Sequence, residues 1–253
     1  MEKRIGFALI VVLAAGSLAC NQKPSVTFSP ADFFPLHPNM AWTYRVISLS
    51  QRTRYVVTDE VLGPQFIPSL DLTGDVVQEY YDLDRGGLRP IVYYQKDGYF
   101  ARLSGLDYEM RAISSPQWGR AEELNFLPAR LAPNEAWDNT LYPYGNLPGS
   151  FSITQSHQTF FDPDEVIVPA GKFRGCIRID TTAQYHGGIY DQEKKSLSLT
   201  YLDWYAPGVG LVMTLAYEGQ TKDHEIERVE LTHFNHDARH ATAAQVRTPA
   251  SMQ

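Results

Sequence analysis

Short runs in which apolar and polar residues alternate cover most of the chain between residues 41 and 234. In the clearest run, Leu197, Leu199 and Tyr201 alternate with serine and threonine. A period of two is typical of a strand with one buried face. Helical periodicity is nearly absent, so the pattern predicts an all-β protein. Similar runs lie at residues 42–46, 55–62, 76–83, 89–95, 99–103, 108–113, 151–161, 165–168, 173–183, 211–217 and 225–234.

Turn-forming residues separate these runs at regular intervals. Asp97-Gly98 is typical of a two-residue hairpin turn. Pro207-Gly208 fits a type II turn, because proline presets φ at the first central position and glycine takes the positive φ of the second. Residues 169–171, Pro-Ala-Gly, predict another hairpin. Together the runs and turns predict a curved antiparallel sheet, built as a half-barrel, an open barrel or a sandwich.

This rhythm breaks between residues 114 and 150, where five prolines occur and only residues 120–126 could form a helical turn. Connections of this length inside a domain are usually functional or disordered. We therefore expect a long proline-rich loop that covers one opening of the sheet.

One short pattern occurs twice. The sequence Pro-Asn-x-Ala-Trp ends at Trp42 and again at Trp137. A phenylalanine with a nearby proline precedes each copy, Phe34 in the first and Phe126 in the second. This echo indicates two degenerate halves within one domain, or it is a coincidence of a short motif.

The first residues have the features of an export signal. Lys3 and Arg4 precede an apolar run of 15 residues. That run is shorter than the roughly 20 residues that a spanning helix needs, and it ends in small residues. Its last four residues, Ser-Leu-Ala-Cys at 17–20, resemble the lipobox of bacterial lipoproteins. Ser17 is a departure, because that family prefers leucine three places before the cysteine.

The lipobox resemblance implies cleavage after residue 19 and a lipid on Cys20 that anchors the protein to the membrane. Asn21, where an aspartate would imply inner-membrane retention, implies the outer membrane with the domain facing the periplasm. The alternatives are a plain signal peptide, or a soluble periplasmic protein with a disulfide between Cys20 and Cys176. We expect a signal peptide at 1–19, a tether at 20–31, a single β domain at 32–236 and a flexible tail at 237–253.

Charge excludes one class of partner. Cleavage after residue 19 removes two of the 22 basic residues and one of the 29 acidic residues, which leaves 20 and 28 and a formal charge of −8. A nucleic-acid surface needs a basic stripe, which this sequence lacks. The acidic balance also argues against electrostatic adsorption to a membrane, so attachment depends on the lipid.

Candidate chemistry is sparse. There is no Gly-x-Ser-x-Gly elbow and no phosphate-binding loop. His233, His236 and His240 would share one face of a helix and could hold zinc, but they lie where a strand runs into the tail. The acidic turn at residues 162–165 lacks the spacing of a calcium loop, and Cys176 is typical of a small buried side chain. We therefore predict no catalytic residue, no metal and no cofactor.

Adjacent aromatic residues place rings on both faces of several strands, as at Tyr80-Tyr81, Tyr93-Tyr94 and residues 160–161. Burial of the sheet on both sides explains these pairs without a ligand. The alternative is a concave, aromatic-lined cleft that binds an apolar molecule or a glycan.

Three longer motifs are similar to those of a loose group of uncharacterised secreted bacterial proteins and lipoproteins. They are Phe-Pro-Leu followed by Trp-Thr-Tyr (residues 34–44), Val-Pro-Ala-Gly-Lys-Phe (168–173) and Tyr-Ala-Pro-Gly-Val-Gly-Leu-Val (205–212). The resemblance covers residues 32–234 in outline and implies a β-rich exported domain, with no catalytic residues to carry over. A curved sheet on an outer-membrane lipoprotein also looks like the half-barrel carriers of lipoproteins or lipids, as an analogy of architecture.

These observations favour a non-enzymatic, lipid-anchored cell-envelope protein that binds a hydrophobic small molecule or an envelope protein. Two other hypotheses stay open. One is an envelope glycan hydrolase that uses two carboxylates that no motif marks. The other is a purely structural or assembly lipoprotein.

Overall fold

The structure is a computed structural model that describes residues 27–82, 88–104, 114–115, 119–120, 122–142, 152–187 and 197–235. The predicted signal peptide, Cys20, the first part of the tether, the strand predicted at 108–113 and the tail lie outside these residues. No helix among the described residues is long and apolar enough to cross a membrane.

Strands make up most of the described chain. In chain order the elements are α1 (Pro30–Phe33), β1 (Ala41–Ser48), β2 (Thr53–Ile67), a 3₁₀ turn (Pro68–Leu70), β3 (Leu72–Tyr81), β4 (Leu88–Lys96), β5 (Tyr99–Ser104), β6 (Ser114–Ser115), β7 (Gly119–Arg120), β8 (Glu122–Pro128), β9 (Ala136–Leu141), β10 (Ser152–Phe161), β11 (Val166–Val168), β12 (Gly171–Phe173), β13 (Ile177–His186), β14 (Ser198–Ala206), β15 (Gly210–Glu218) and β16 (Glu225–Asn235).

Twelve of these strands form one antiparallel sheet in the order β8-β5-β4-β3-β2-β1-β16-β15-β14-β13-β10-β9. The first and last strands of the domain, β1 and β16, pair in the middle of this order. The two end strands, β8 and β9, meet at a seam, so the sheet is a barrel that is nearly closed. The prediction of an all-β, curved antiparallel sheet is confirmed.

The proline-rich stretch, expected as a covering loop, instead contributes β8 and β9, the two strands that flank the seam. Pro128 is the last residue of β8, and Pro133 lies in the turn that precedes β9. Proline is tolerated at the ends of edge strands because it lacks only an N–H group that an edge strand does not need. These two prolines therefore lie at a strand end and in a turn, and strands form on either side of them.

The predicted hairpins form where their turn residues place them. Asp97 and Gly98 both have positive φ angles, 48° and 82°, as a type I′ turn between β4 and β5 requires. Gly208 has a φ of 68° in the turn between β14 and β15. The strands β11 and β12 pair across residues 169–170.

One end of the barrel is filled by the chain that precedes β1. A capping box between Ser29 and Asp32 begins α1, and the backbone N–H of Gly208 donates to the Asp32 carbonyl at 2.7 Å. The ring of Phe34 then enters the barrel, where it contacts Trp42, Tyr93, Phe100, Phe126 and Tyr205. The predicted domain boundary at residue 32 lies inside this helix.

The hairpin of β11 and β12 completes the same end of the barrel. The Ala170 N–H donates to the Leu231 carbonyl at 3.0 Å, at a point where the pairing of β16 with β1 shifts register. The rings of Phe173 and Phe234 pack together. The inward-facing apolar residues therefore form one core that is concentrated at this end.

A smaller apolar cluster lies on the outer face of β2 to β5. Its buried members are Ile67, Val76, Val92 and Leu103, with Tyr94 packed against them. Tyr93, the neighbour of Tyr94, belongs to the inner core. Burial on both faces of the sheet thus accounts for this aromatic pair.

Candidate binding site inside the barrel

Strand register decides which polar side chains face the barrel interior. Residues directly opposite each other on neighbouring strands point to the same face of a sheet. The buried ring of Trp42 lies opposite Asp59, and Asp59 lies opposite Glu79. On the next strands, the buried Tyr93 lies opposite Arg102. The inner face of β1 to β5 therefore carries both aromatic and ionisable side chains.

We define the interior cluster as six residues that are close enough to influence one another's ionisation: Tyr44, Asp59, Glu79, Tyr93, Arg102 and Tyr205. Five of them come from β1 to β5, and the sixth comes from β14. Because β14 lies four positions away from β2 in the sheet order, its Tyr205 reaches the cluster from across the barrel. The cluster spans the interior.

The interior has space beside these side chains. A barrel of about eight strands is just wide enough for its own side chains to fill, and width grows with strand number. Twelve strands enclose this interior. Asp59, Glu79, Arg102 and Asp203 all face inward, yet each keeps part of its surface accessible. Part of each side chain therefore borders solvent-accessible space, although the Asp59 Oδ1 and Arg102 Nε atoms are themselves buried.

Asp59 is the most perturbed acid of the cluster. Burial, followed by the nearby Glu79 carboxylate, raises its pKa to about 7, and the Arg102 guanidinium opposes that rise. Its Oδ1 atom is buried and has no hydrogen-bond partner among the described residues. A buried polar atom left in this way costs about 1–3 kcal/mol. Asp59 can therefore either donate or accept a hydrogen bond at neutral pH.

Arg102 supplies the positive charge. Burial alone would lower its pKa, but Tyr93, the Glu79 carboxylate and other acidic groups outweigh burial and raise it, so Arg102 stays charged. Its Nε atom also lacks a partner within the described part of the chain. The Arg102 guanidinium and the Glu79 carboxylate have opposite formal charges, so the cluster is close to neutral whenever Asp59 holds its proton.

The tyrosines add neutral hydroxyl groups and aromatic faces. Burial raises the pKa of Tyr44 and Tyr205 well above its ordinary value. Burial also raises the pKa of Tyr93 to about 12, although Arg102 opposes it. All three stay protonated at neutral pH and can donate hydrogen bonds as well as accept them.

Further along the interior, Asp203 and Glu227 add two carboxyl groups. The Thr214 hydroxyl donates to Asp203 Oδ1 at 2.6 Å. Burial raises the pKa of Asp203 to about 6 despite this hydrogen bond, and it raises the pKa of Glu227 as well. Polar character therefore extends beyond the interior cluster.

The seam is bridged by side chains from β9 to the backbone of β8. The Asn139 Oδ1 accepts from the Asn125 N–H at 3.0 Å, and the Asn139 Nδ2 donates to the Asn125 carbonyl at 3.0 Å. The Trp137 Nε1 donates to the same carbonyl at 2.9 Å. The Asn139 amide thus reproduces the pair of hydrogen bonds that a neighbouring strand would make.

His157 holds Asn139 in this position. The second Nδ2 hydrogen of Asn139 points to His157 Nε2 at 3.0 Å, and His157 Nδ1 lies 2.8 Å from the Thr181 hydroxyl. Because backbone groups fix the Asn139 amide orientation, Nε2 must accept and Nδ1 must carry the hydrogen. Burial lowers the pKa of His157 to about 4, so the ring is neutral at physiological pH.

A second concave surface lies outside the barrel. This groove of about 490 Å³ borders β9, β10, β13 and β14. Its central acid, Asp180, already accepts from Arg178 at 2.6 Å and from Lys222 at 3.1 Å. Because the charge of Asp180 is already paired, the groove is a weaker candidate than the interior.

The residues singled out in the sequence do not build a site. Cys20 lies outside the described residues, as do His236 and His240, whereas His233 is on β16. Cys176 is buried, and burial followed by the nearby Asp162 raises its pKa to about 12, so it is a poor nucleophile. Within the described ranges no three potential ligands gather around a metal position.

The acidic turn at residues 162–165 has structural partners. The Asp162 carboxylate accepts from the Trp204 indole at 3.1 Å, and Glu165 pairs with Lys172 and Arg174. These acids orient β11, β12 and β14.

Sequence reasoning missed the interior cluster. A signal for Asp59 was present, because it occupies the inward phase of the alternation Tyr55, Val57, Asp59, Val61. A charged residue in the apolar phase of a strand is unusual unless it is paired. The position of Arg102 could not be inferred in the same way, because its neighbours depend on strand register.

Two solved structures are similar to this chain. A candidate lipoprotein from Parabacteroides distasonis matches with a TM-score of 0.50 and 17% identity, over 80% of this chain and 98% of that protein. A candidate exported protein with a YmcC-like fold from Bacteroides fragilis matches with a TM-score of 0.41 and 14% identity, over 81% of this chain and 99% of the other. No protein-family model and no curated protein matches the chain. The likeness to the first structure supports the barrel fold.

Proposed function

We propose that this protein is a lipid-anchored cell-envelope protein that binds a small, neutral, polyhydroxylated ligand inside its barrel. The observation that carries this proposal is the pair of unpartnered polar atoms, Asp59 Oδ1 and Arg102 Nε, in an interior lined with tyrosines. A carbohydrate of one or two units has the matching chemistry.

Hydroxyl groups suit both unpartnered atoms, because each hydroxyl donates one hydrogen bond and accepts two. Arg102 can donate to one hydroxyl while Asp59 accepts from or donates to its neighbour. The rings of Tyr44, Tyr93 and Tyr205 offer flat apolar faces for the C–H groups of a sugar. The near-zero charge of the cluster favours a neutral ligand over an ion.

A purely hydrophobic ligand, expected from the sequence, fits this interior less well. It would cover Asp59 and Arg102 without pairing them, and each buried unpaired group costs about 1–3 kcal/mol or more. The apolar part of the interior is already filled by Phe34 and its neighbours.

Placement in the envelope rests on the first 20 residues. The positive start, the short apolar run and the lipobox-like sequence before Cys20 support export and lipid attachment. Anchoring to the outer membrane with the barrel facing the periplasm, through the lipid on Cys20, is part of the proposal. Mass spectrometry of the mature protein tests it, because acylation of Cys20 adds the mass of its lipid chains.

Calorimetric titration tests the binding. We expect the mature protein to bind some of a panel of neutral mono- and disaccharides, and not palmitate or inorganic phosphate. Arg102→Gln should weaken binding at least tenfold. Arg45→Gln is the matched control, because Arg45 lies on the outer surface and pairs with Glu230. Tighter binding of palmitate than of any sugar would refute the polar site.

A second candidate function, glycoside hydrolysis, is favoured by one observation. Asp59 and Glu79 lie directly opposite each other on β2 and β3, where Cβ atoms are about 4.5–5.5 Å apart. Retaining glycosidases hold an acid and a nucleophilic carboxylate about 5–5.5 Å apart. In this function Asp59 would protonate the leaving oxygen and Glu79 would attack the sugar.

Release of 4-nitrophenol from aryl glycosides tests this second function. Activity that Glu79→Ala abolishes and added azide restores, with formation of a glycosyl azide, would establish it. Glu227→Gln is the control, because Glu227 is an interior acid on β16, which two strands separate from Glu79 on β3. Sugar binding without any release of 4-nitrophenol would show that the protein binds sugars and does not hydrolyse these glycosides.

A further inference from the structure

We propose that the seam between β8 and β9 is the passage through which a ligand reaches the barrel interior, and that Asn139 is the residue that holds it shut. This inference rests on the proposed interior binding site and adds a route to it.

The seam is the weakest line in the barrel wall. Every other neighbouring pair in the sheet is joined by a ladder of backbone hydrogen bonds, whereas β8 and β9 share no ladder among the described residues. In this part of the chain the seam is joined by the hydrogen bonds that Asn139 and Trp137 make to Asn125. Side chains can release such bonds by rotating, without unfolding a strand.

The seam also lies next to the proposed site. Arg102 on β5 is directly opposite Leu124 on β8, so a single strand separates the Arg102 guanidinium from the seam. The inner edge of the passage is lined by Leu124 and Phe126 from β8 and by Trp137 from β9. A ligand that passes between β8 and β9 arrives beside Arg102.

The end of the barrel that the chain before β1 fills is not an alternative route. There the Phe34 ring packs against five other aromatic rings. The hairpin of β11 and β12 covers the remainder through the hydrogen bond from Ala170 to Leu231. Movement at this end would disrupt the main core.

Asn139 is better suited than Trp137 to control the passage. Its amide makes two of the three bonds to Asn125, and its second Nδ2 hydrogen is held by His157. Loss of the amide removes both bonds and frees the His157 ring. Replacement by alanine should therefore raise the frequency of seam opening at least tenfold, by removing two of the bonds that oppose it.

Accessibility of an interior thiol tests this inference without any ligand. Val229 faces inward on β16, opposite Val46 and Thr214, so Val229→Cys places a thiol across the barrel from the seam. The rate of its reaction with a methanethiosulfonate reagent is measured in the mature protein. Cys176 gives only a slow background, because it is buried and its pKa is about 12.

We expect Asn139→Ala to speed this labelling about tenfold or more, and Asn139→Gln to speed it less. Thr232→Ala is the matched control, because the Thr232 hydroxyl also donates to a backbone carbonyl, that of Thr43 at 2.9 Å. There β16 and β1 keep their ladder, so labelling should change less than twofold. Equal labelling rates in the Asn139 and Thr232 variants would overturn the proposal.

Hydrogen exchange of the unmodified protein gives a second test, in case the Asn139 variants fold poorly. The Asn125 amide should exchange at least tenfold faster than the ladder amides of β1 and β16. Exchange at equal rates would overturn the proposal. Neither measurement uses a sugar, so a failure of the proposed binding is distinguishable from a failure of the passage.

Discussion

The strands β1 and β9 begin in the same way and continue with different chemistry. Each follows a Pro-Asn turn whose asparagine has a positive φ, 69° at Asn39 and 62° at Asn134. The Asn39 N–H donates to Val61 and the Asn134 N–H donates to Thr159, both at 2.9 Å. The next residue closes the turn in both copies. The echo seen in the sequence is therefore a repeated backbone device.

The two tryptophans that follow these turns perform different tasks. Trp42 donates to the Val209 carbonyl, in the turn between β14 and β15. Trp137 donates to the Asn125 carbonyl across the seam. Trp42 ties β1, which has a ladder neighbour on each side, to the closed end of the barrel. Trp137 helps to hold β9 against β8 across the seam.

The residue opposite each tryptophan also differs. Asp59 faces Trp42 and has a pKa of about 7, whereas His157 faces Trp137 and has a pKa of about 4. Burial causes both shifts, and it opposes the charged form in each case. The comparison teaches that the turn fixes where the tryptophan lies, while the residue opposite it on the neighbouring strand sets the local chemistry.

Replacement of each tryptophan by alanine should give the largest difference in stability loss between β1 and β9. We expect Trp42→Ala to reduce the free energy of unfolding by about 3–5 kcal/mol, because its ring contacts Phe34 and lies between two paired strands. Trp137→Ala should cost about 1–2 kcal/mol less, because β9 has one ladder neighbour. Urea unfolding followed by circular dichroism measures both. A larger loss for Trp137 would reverse our view of the seam as the weaker side.

Asp59→Asn should change how stability depends on pH. The folded protein holds a proton on Asp59 up to about pH 7, whereas the unfolded chain loses it near a pKa of about 3.9. Stability from Asp59 is therefore full below about pH 4 and is lost as pH rises through 7. The variant should be more stable than the wild type at pH 8, by at most about 4 kcal/mol.

Urea unfolding at a series of pH values between 4 and 8 checks this effect. Asp203 and Glu227 have raised pKa values too, so a smaller slope of the same sign should remain in the variant. An unchanged slope would show that Asp59 ionises freely in the folded protein.

His157→Gln should act in the opposite direction. The unfolded chain takes up a proton near a pKa of about 6.5, whereas the folded ring resists protonation down to about pH 4. The stability that His157 contributes is present above about pH 6.5 and is lost as pH falls through 4. Removing the ring should flatten this acid-side loss, by at most about 3 kcal/mol.

The same pH series distinguishes the two residues, because their effects on stability have opposite signs between about pH 4 and pH 6.5. Asp59→Asn should remove a loss of stability with rising pH, whereas His157→Gln should remove a gain. Protonation of His157 would also place a hydrogen on Nε2, against the Nδ2 donor of Asn139. A change of slope with the same sign in both variants would contradict the assignment.

Gly210→Ala should have the smallest effect of this series, about 2 kcal/mol. Gly210 has a φ of 110°, and an added Cβ would lie 3.1 Å from the Trp42 Nε1 atom. Gly98→Ala is the control, because its φ is also positive, 82°, but an added Cβ would meet nothing within 4 Å. Gly98→Ala should cost about 1 kcal/mol from backbone strain alone. Thermal unfolding measures both losses. Equal losses would show that the added methyl group at Gly210 does not disturb Trp42.

Much of the local structure could be predicted from the sequence. The turns at Asp97-Gly98 and Pro207-Gly208 were found because their φ preferences are properties of single residues. The strands β8 and β9 were missed because prolines outweighed a weak alternation. In the structure those prolines lie at strand ends and in the turn before β9, where their missing N–H is harmless.

The interior cluster could not be predicted, although each of its strands could. Asp59 and Arg102 lie three strands apart, and their proximity depends on the registers of the intervening pairs. A shift of one residue in any of these pairs would turn a side chain to the outer face. The bulge between Val61 and Gly63 shows that such shifts occur in this sheet.

The sequence by itself determined the all-β character and the hairpin turns, because alternation and turn preference are each encoded within short segments of the chain. The tertiary structure decided that the sheet curls into a barrel, that β8 and β9 meet at a seam, and that Asp59 and Arg102 share its interior. These features depend on contacts between distant segments, such as Trp42 opposite Phe234. Only the folded barrel brings those segments together, because register and closure are properties of the whole sheet.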